Sequence, residues 1–104
     1  MTVIGFLSVA PVREGSMAAD VAKAVDALDD FGVSYETNPM GTTIEADDIG
    51  TLLDAVEAAH EAVPGDRVST FLKIDDKRTS ATSAAEKVAG VERELGRPAE
   101  RQRD

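Results

Sequence analysis

Apolar and polar residues alternate or recur along this chain with periods that predict seven elements. Thr2 to Ala10 is rich in Val, Ile, Leu and Phe and halts at Pro11, which reads as a strand. From Ser16 onward Met17, Val21, Val25 and Leu28 recur at helical spacing, with Asp20, Lys23, Asp26 and Asp30 elsewhere on the wheel. Ser16 is the expected cap and Gly32 the stop. Val33 to Asn38 and Thr42 to Ala46 read as two strands joined by a Pro and Gly turn, Asn38-Pro39-Met40-Gly41. Asp47 or Asp48 can cap a second helix with the stripe Ile49, Leu52, Leu53, Val56, Ala59, His60 and Val63, ended by Pro64 and Gly65. Arg67 to Asp75 is a fourth strand, and Ser83 with Glu86 has capping-box spacing for a last helix carrying Val88, Val91 and Leu95 up to Gly96.

The order strand, helix, strand, strand, helix, strand, helix predicts an α+β, ferredoxin-like βαββαβ sandwich: a four-stranded antiparallel sheet, two helices on one face and an extra C-terminal helix. Residues 1–96 form the expected domain and 97–104 a charged tail. A sheet covered on one side should alternate apolar and polar residues. The fourth strand does so, with Val68, Leu72 and Ile74 toward the helices and Ser69, Phe71, Lys73 and Asp75 away from them. The first strand does not: Val3, Leu7 and Val9 serve the core, yet Ile4, Phe6 and Ala10 also point outward, with Ser8 as the polar member. An apolar outer face calls for cover, and another subunit's sheet is the expected cover, giving a homodimer or homotetramer.

That covered face also carries Ser8, Glu36, Thr43, Glu45 and Lys73. Charged groups in an interface must pair or hold something polar. Glu45 and Lys73 either pair there or stay at its wet rim, or the set forms a small pocket beside Phe6 and Phe71. Such a pocket stacks a flat heterocycle on the aromatic rings and meets its nitrogens with side-chain oxygens. The candidate ligand residues are therefore Phe6, Ser8, Glu36, Thr43, Glu45, Phe71 and Lys73.

Charge narrows the partners. Among 104 residues, 20 Asp and Glu against 11 Lys and Arg leave a formal net charge of -9. This repels phosphate backbones and anionic membranes, so neither nucleic acid nor membrane is an expected partner. The acids are dispersed, the pattern of a solvated surface suited to high salt, as in a halophile. Four aromatic residues, Tyr35, Phe6, Phe31 and Phe71, are too few for a base-stacking platform. Cysteine is absent, and no apolar stretch reaches membrane-spanning length or has the form of a secretory leader, so a cytoplasmic location is expected.

The segments "YETNPMGTTIEADDIGTLLDAVEAAHEAV", "RVSTFLKIDDKR" and "LSVAPV", with the Ser-led first helix, resemble the small thiamine-binding protein family. The resemblance covers nearly all of Thr2 to Leu95. Its diagnostic pieces are Met40-Gly41-Thr42, Ala59-His60 and Lys73-Ile74-Asp75-Asp76. It implies ferredoxin-like domains that assemble through their sheets into dimers and tetramers. The related YkoF-like proteins carry two such domains and bind thiamine or its hydroxymethylpyrimidine part. The resemblance thus implies ligand binding without catalysis and without a cofactor.

Other chemistry is poorly supported. His60, the one histidine, has no partners at ligand spacing, since Glu57 and Glu61 lie elsewhere on the wheel. Asp75 and Asp76 are adjacent in a strand and point to opposite faces, so pairing with Lys77 or Arg78 is the simpler expectation. Gly41-Thr42-Thr43 lacks phosphate-loop spacing and opens no helix. Ser16 at a helix start offers what every helix start offers.

Overall fold

The computed structural model describes residues 2–103. Met1 and Asp104, the outermost positions of the expected domain and tail, lie outside the described residues. The elements run β1 (Val3–Pro11), α1 (Ala18–Ala27), a 3-10 turn (Leu28–Asp30), β2 (Ser34–Asn38), β3 (Gly41–Ala46), α2 (Ile49–Ala62), β4 (Val68–Asp76) and α3 (Ala84–Leu95). The sheet is antiparallel in the order β2-β3-β1-β4, which is the ferredoxin-like arrangement with an added C-terminal helix.

Strict alternation sets β1 in place. Val3, Gly5, Leu7, Val9 and Pro11 are buried and the residues between them half-buried, so every second side chain faces α1 and α2. Leu28, Ile44, Leu52 and Val3 are the largest fully buried side chains, each contributing about 1.5–3 kcal/mol. Gly5 lets α2 come close, since a Cβ there would meet Leu52 Cδ1 at 3.0 Å.

Helix ends follow the predicted chemistry in two cases of three. Asp48 caps α2, accepting from the Thr51 amide at 2.7 Å, and that bond holds its carboxyl below the usual carboxylate range. Ser83 caps α3, accepting from the Glu86 amide at 3.1 Å, and Gly96 closes it in the left-handed conformation at φ 72°. Ser16 does not cap α1. Met17 holds that position, and Ser16 Oγ only reaches the Ala18 amide at 3.4 Å. Nor does α1 run to Gly32, because it tightens into the 3-10 turn after Ala27.

The helical stripes are also rotated from the predicted ones. On α1 the buried residues are Asp20 and Ala24, with Leu28 just beyond, while Val21 and Val25 sit at its flank. Asp20 tolerates burial because the Arg13 guanidinium pairs with it across the β1–α1 loop. On α2, Leu52, Ala55, Val56 and Ala59 are buried, whereas Ile49 and Leu53 are exposed.

Candidate functional site

All seven candidate residues lie on the sheet face turned away from α1 and α2. Strand register shows this directly: Glu36 pairs with Thr43, Thr43 with Phe6, and Phe6 with Lys73, forming one row across β2, β3, β1 and β4. Directly opposed residues share a face. Ser34, Glu45, Ile4 and Asp75 form the next row, and Ser8 pairs with Phe71 on the other side of the first. On this face Phe71 is 59% exposed and Ile4 and Phe6 are half-buried, so apolar side chains stand among the polar ones.

Two local constraints shape that face. Phe6 lies across Gly41 so tightly that a Cβ on Gly41 would stand 2.6 Å from Phe6 Cζ and 2.6 Å from the Leu7 carbonyl oxygen. Gly41 is thus required for close approach. The second constraint is α3, which crosses onto the outer face. Glu45 Oε1 accepts from the Ala84 amide at 2.6 Å, and Lys87 pairs with Asp75. Lys87 donates to Asp75 and holds its carboxyl below the usual range. Between α3 and the sheet is a cleft of about 320 Å³, lined by Glu36, Thr43, Glu45, Ala84 and Val88 among others. It brings three of the seven candidates together. Phe6, Ser8, Phe71 and Lys73 stand outside it on the open sheet.

A more enclosed cavity, of about 160 Å³, lies on the opposite side of the sheet. Pairing with β3 ends at Leu7, whereas pairing with β4 continues to Pro11, so from Ser8 onward β1 has a strand neighbour on one side only. The vacated side is walled by Val21, Ala24, Val25 and Leu28 of the first helix and its 3-10 turn, and roofed by the hairpin Thr37 to Thr42. Ser8 and Ala10 turn their side chains to the outer face, so what they present here is backbone. Alternate N–H and C=O groups of a strand point to each side, which leaves donors and acceptors of β1 directed into the cavity.

Its side-chain polarity is sparse. Thr37 Oγ1 and Thr42 Oγ1 lie 3.0 Å apart, with Thr42 buried. Asn38 Oδ1 is committed to the turn, accepting from the Met40 and Gly41 amides at 2.9 and 3.1 Å. Met40, 77% exposed, stands at the lip. Pattern alone makes Asn38 to Gly41 a plain hairpin turn and misses this cavity. A signal is nonetheless present in the sequence: "LSVAPV" and Met40-Gly41-Thr42 are pieces that carry the family resemblance, and Leu7 to Ala10 of the first and all of the second line the cavity from two sides.

The remaining candidates are engaged structurally. His60 Nδ1 is 2.5 Å from Thr70 Oγ1, tying the end of α2 to the start of β4. Asp76 pairs with Arg78 at 3.5 Å, while Asp75 turns to the other face and to Lys87. Among the described residues no group of three or more His, Cys, Asp or Glu side chains is placed to hold a metal ion, and no helix is long and apolar enough to cross a membrane.

A family model described as thiamine-binding protein matches residues 6–92. A UPF0045 protein of Methanothermobacter thermautotrophicus is 46% identical over 83 residues, covering 77% of this chain and 84% of the relative. One from Mycobacterium bovis is 35% identical over 101 residues, covering 94% and 99%. Among solved structures, a hypothetical protein from Methanocaldococcus jannaschii superposes with a TM-score of 0.80 at 31% identity, covering 86% of this chain and 95% of its own.

Proposed function

Because the chain belongs to the thiamine-binding protein family, we propose that it binds thiamine, or the hydroxymethylpyrimidine part of thiamine, without chemical change to it. The observation that carries this reading is the convergence of Ser8 to Ala10 and Asn38 to Thr42 on one ring-sized cavity. A cavity of about 150 Å³ accepts benzene, so the 160 Å³ here suits a single six-membered ring with its substituents reaching out past Met40. Val21, Val25 and Leu28 offer apolar contact to the ring. The threonine hydroxyls and the free edge of β1 offer the donor and acceptor pattern that an aminopyrimidine edge requires. The net charge of -9 favours approach of the thiazolium cation.

A second location is favoured by the row Glu36, Thr43, Phe6 and Lys73 and the cleft beside it. There a ring would stack on Phe6 and Phe71 when a second copy covers the outer face, with Ser8, Glu36, Thr43, Glu45 and Lys73 supplying polar contacts. Self-association through that face, as a homodimer or homotetramer, belongs to this proposal whichever side holds the ligand. The rival is a domain that only self-associates and binds no small molecule.

Thermal denaturation with millimolar thiamine or hydroxymethylpyrimidine tests the reading. Ligand that binds the folded state raises the melting temperature by mass action. Val25→Phe, which fills the cavity from a half-exposed position, is expected to abolish the shift with little change in the unliganded melting temperature. Loss of the shift in Glu36→Gln alone assigns the ligand to the outer face, and no shift in the natural chain leaves the self-associating domain.

A further inference from the structure

We infer that the site selects the unphosphorylated, cationic form of thiamine over its phosphate esters, with the thiazolium ring in the open groove between α1 and β2 that continues from the ring-sized cavity. This rests on the proposal that the cavity holds the pyrimidine.

The two spaces share walls. Val21, Val25 and Thr37 line both the cavity and a groove of about 480 Å³, which runs along α1 to Asp26 and Asp29 and along β2 to Tyr35. A ligand of two rings joined by one carbon needs such a step: an enclosed space for the neutral ring and an open one for the charged ring. Tyr35 and Thr37 are two apart on β2, so both turn to the side of the sheet that faces α1. Tyr35 thereby offers aromatic surface in the groove, and aromatic faces attract cations.

The charge of the groove has one sign. Among the described residues no Lys or Arg side chain lines either space, since Arg13 is taken by Asp20 and Lys23 lies outside both linings. Asp29 accepts from the Tyr35 hydroxyl at 2.6 Å and holds it above its ordinary value, and burial and the charges of Asp29 and Asp26 act in the same direction. Both carboxylates therefore bear on the same part of the groove. They also stand at the end of α1, where the helix dipole favours a cation, yet its last turn carries no basic residue. A thiazolium supplies the charge that this helix end lacks. A phosphate on the hydroxyethyl arm instead brings about −1.5 to −2 charges into the same surroundings, and is repelled.

Calorimetric titration of the protein at 0.1 M salt with thiamine, thiamine monophosphate and hydroxymethylpyrimidine tests this. Thiamine is expected to bind at least about fivefold more tightly than its monophosphate. That preference is a ratio within one protein, so any change in stability cancels from it. In Asp26→Asn/Asp29→Asn the ratio should fall toward one, because asparagine keeps the shape, and at position 29 an acceptor for Tyr35, without the charge. At 1 M salt, where screening shortens to about 3 Å, it should fall likewise. Equal affinities in the natural chain, tighter binding of the monophosphate, or a preference untouched by the two substitutions overturns the inference, and binding of hydroxymethylpyrimidine in the same titrations then leaves the proposed function standing. If none of the three compounds binds, both fall.

Discussion

Glu45 and Ala84, 39 positions apart, are joined by a 2.6 Å hydrogen bond from the Ala84 amide to Glu45 Oε1. A carboxylate near the end of β3 thus serves the start of a distant helix, where unpaired amides and the helix dipole favour negative charge. Glu45→Ala is expected to loosen α3 by about 1 kcal/mol, the usual worth of such a cap. Glu45→Gln retains an acceptor and should cost less. Hydrogen exchange at the Ala84 and Ala85 amides reads the difference; equal protection in all three proteins would show the bond to be idle.

Gly41 carries a second prediction. A methyl group there must displace Phe6 or the Leu7 carbonyl, and backbone cannot retreat as a flexible side chain can. Gly41→Ala should lose about 1–3 kcal/mol in urea denaturation, the usual cost of overpacking. Gly5→Ala meets side-chain ends alone, Leu52 Cδ1 at 3.0 Å and Leu72 Cδ1 at 3.5 Å, and should cost less. The reverse ranking would mean that the hairpin is looser than its contacts with Phe6 and Leu7 require.

Acidification acts on the α3 attachment. Lys87 holds the Asp75 carboxyl below its ordinary value, so the folded form binds a proton more weakly than the unfolded one. The contribution is present in full above the ordinary value of about 3.9 and is lost as pH falls through the lower folded value. Asp75→Asn should flatten the stability profile on the acid side of that value and leave it parallel to the natural protein's near neutrality. Unchanged acid-side slopes would refute the attachment.

Salt should act in the opposite sense. With a net charge of -9 and dispersed acids, the folded chain repels itself at low ionic strength. Screening shortens from about 10 Å at 0.1 M to about 3 Å at 1 M, so the melting temperature should climb across that range. A flat response would remove the reason for reading the surface as adapted to high salt.

Much of this molecule is legible as pattern. A strand's period of two assigns sides without tertiary knowledge, and it places Val3, Leu7 and Val9 in the core and Ile4, Phe6 and Ser8 on the outer face of β1, although Ile74, on the helix side of β4, stays exposed. Asp48, Ser83 and Gly96 declare helix ends through local chemistry. What stays hidden depends on neighbours distant in sequence. Asp20 reads as solvated until Arg13 is seen to pair with it. Ala24 rather than Val21 or Val25 faces the core, on the same side of α1 as the paired Asp20. The ring-sized cavity arises because β3 stops pairing at Leu7 while β1 runs on, and strand lengths relative to one another are not written in either strand's own pattern.

Binding of a pyrimidine in the space where β1 outruns β3 is the premise on which the proposed function stands. Titrating isotope-labelled protein with hydroxymethylpyrimidine and following every backbone amide by NMR locates the ligand directly. Saturable shifts concentrated at Val9, Ala10, Val25 and Met40 to Thr42 are predicted. Shifts confined to Glu36, Thr43 and Lys73, or none at all, would contradict it.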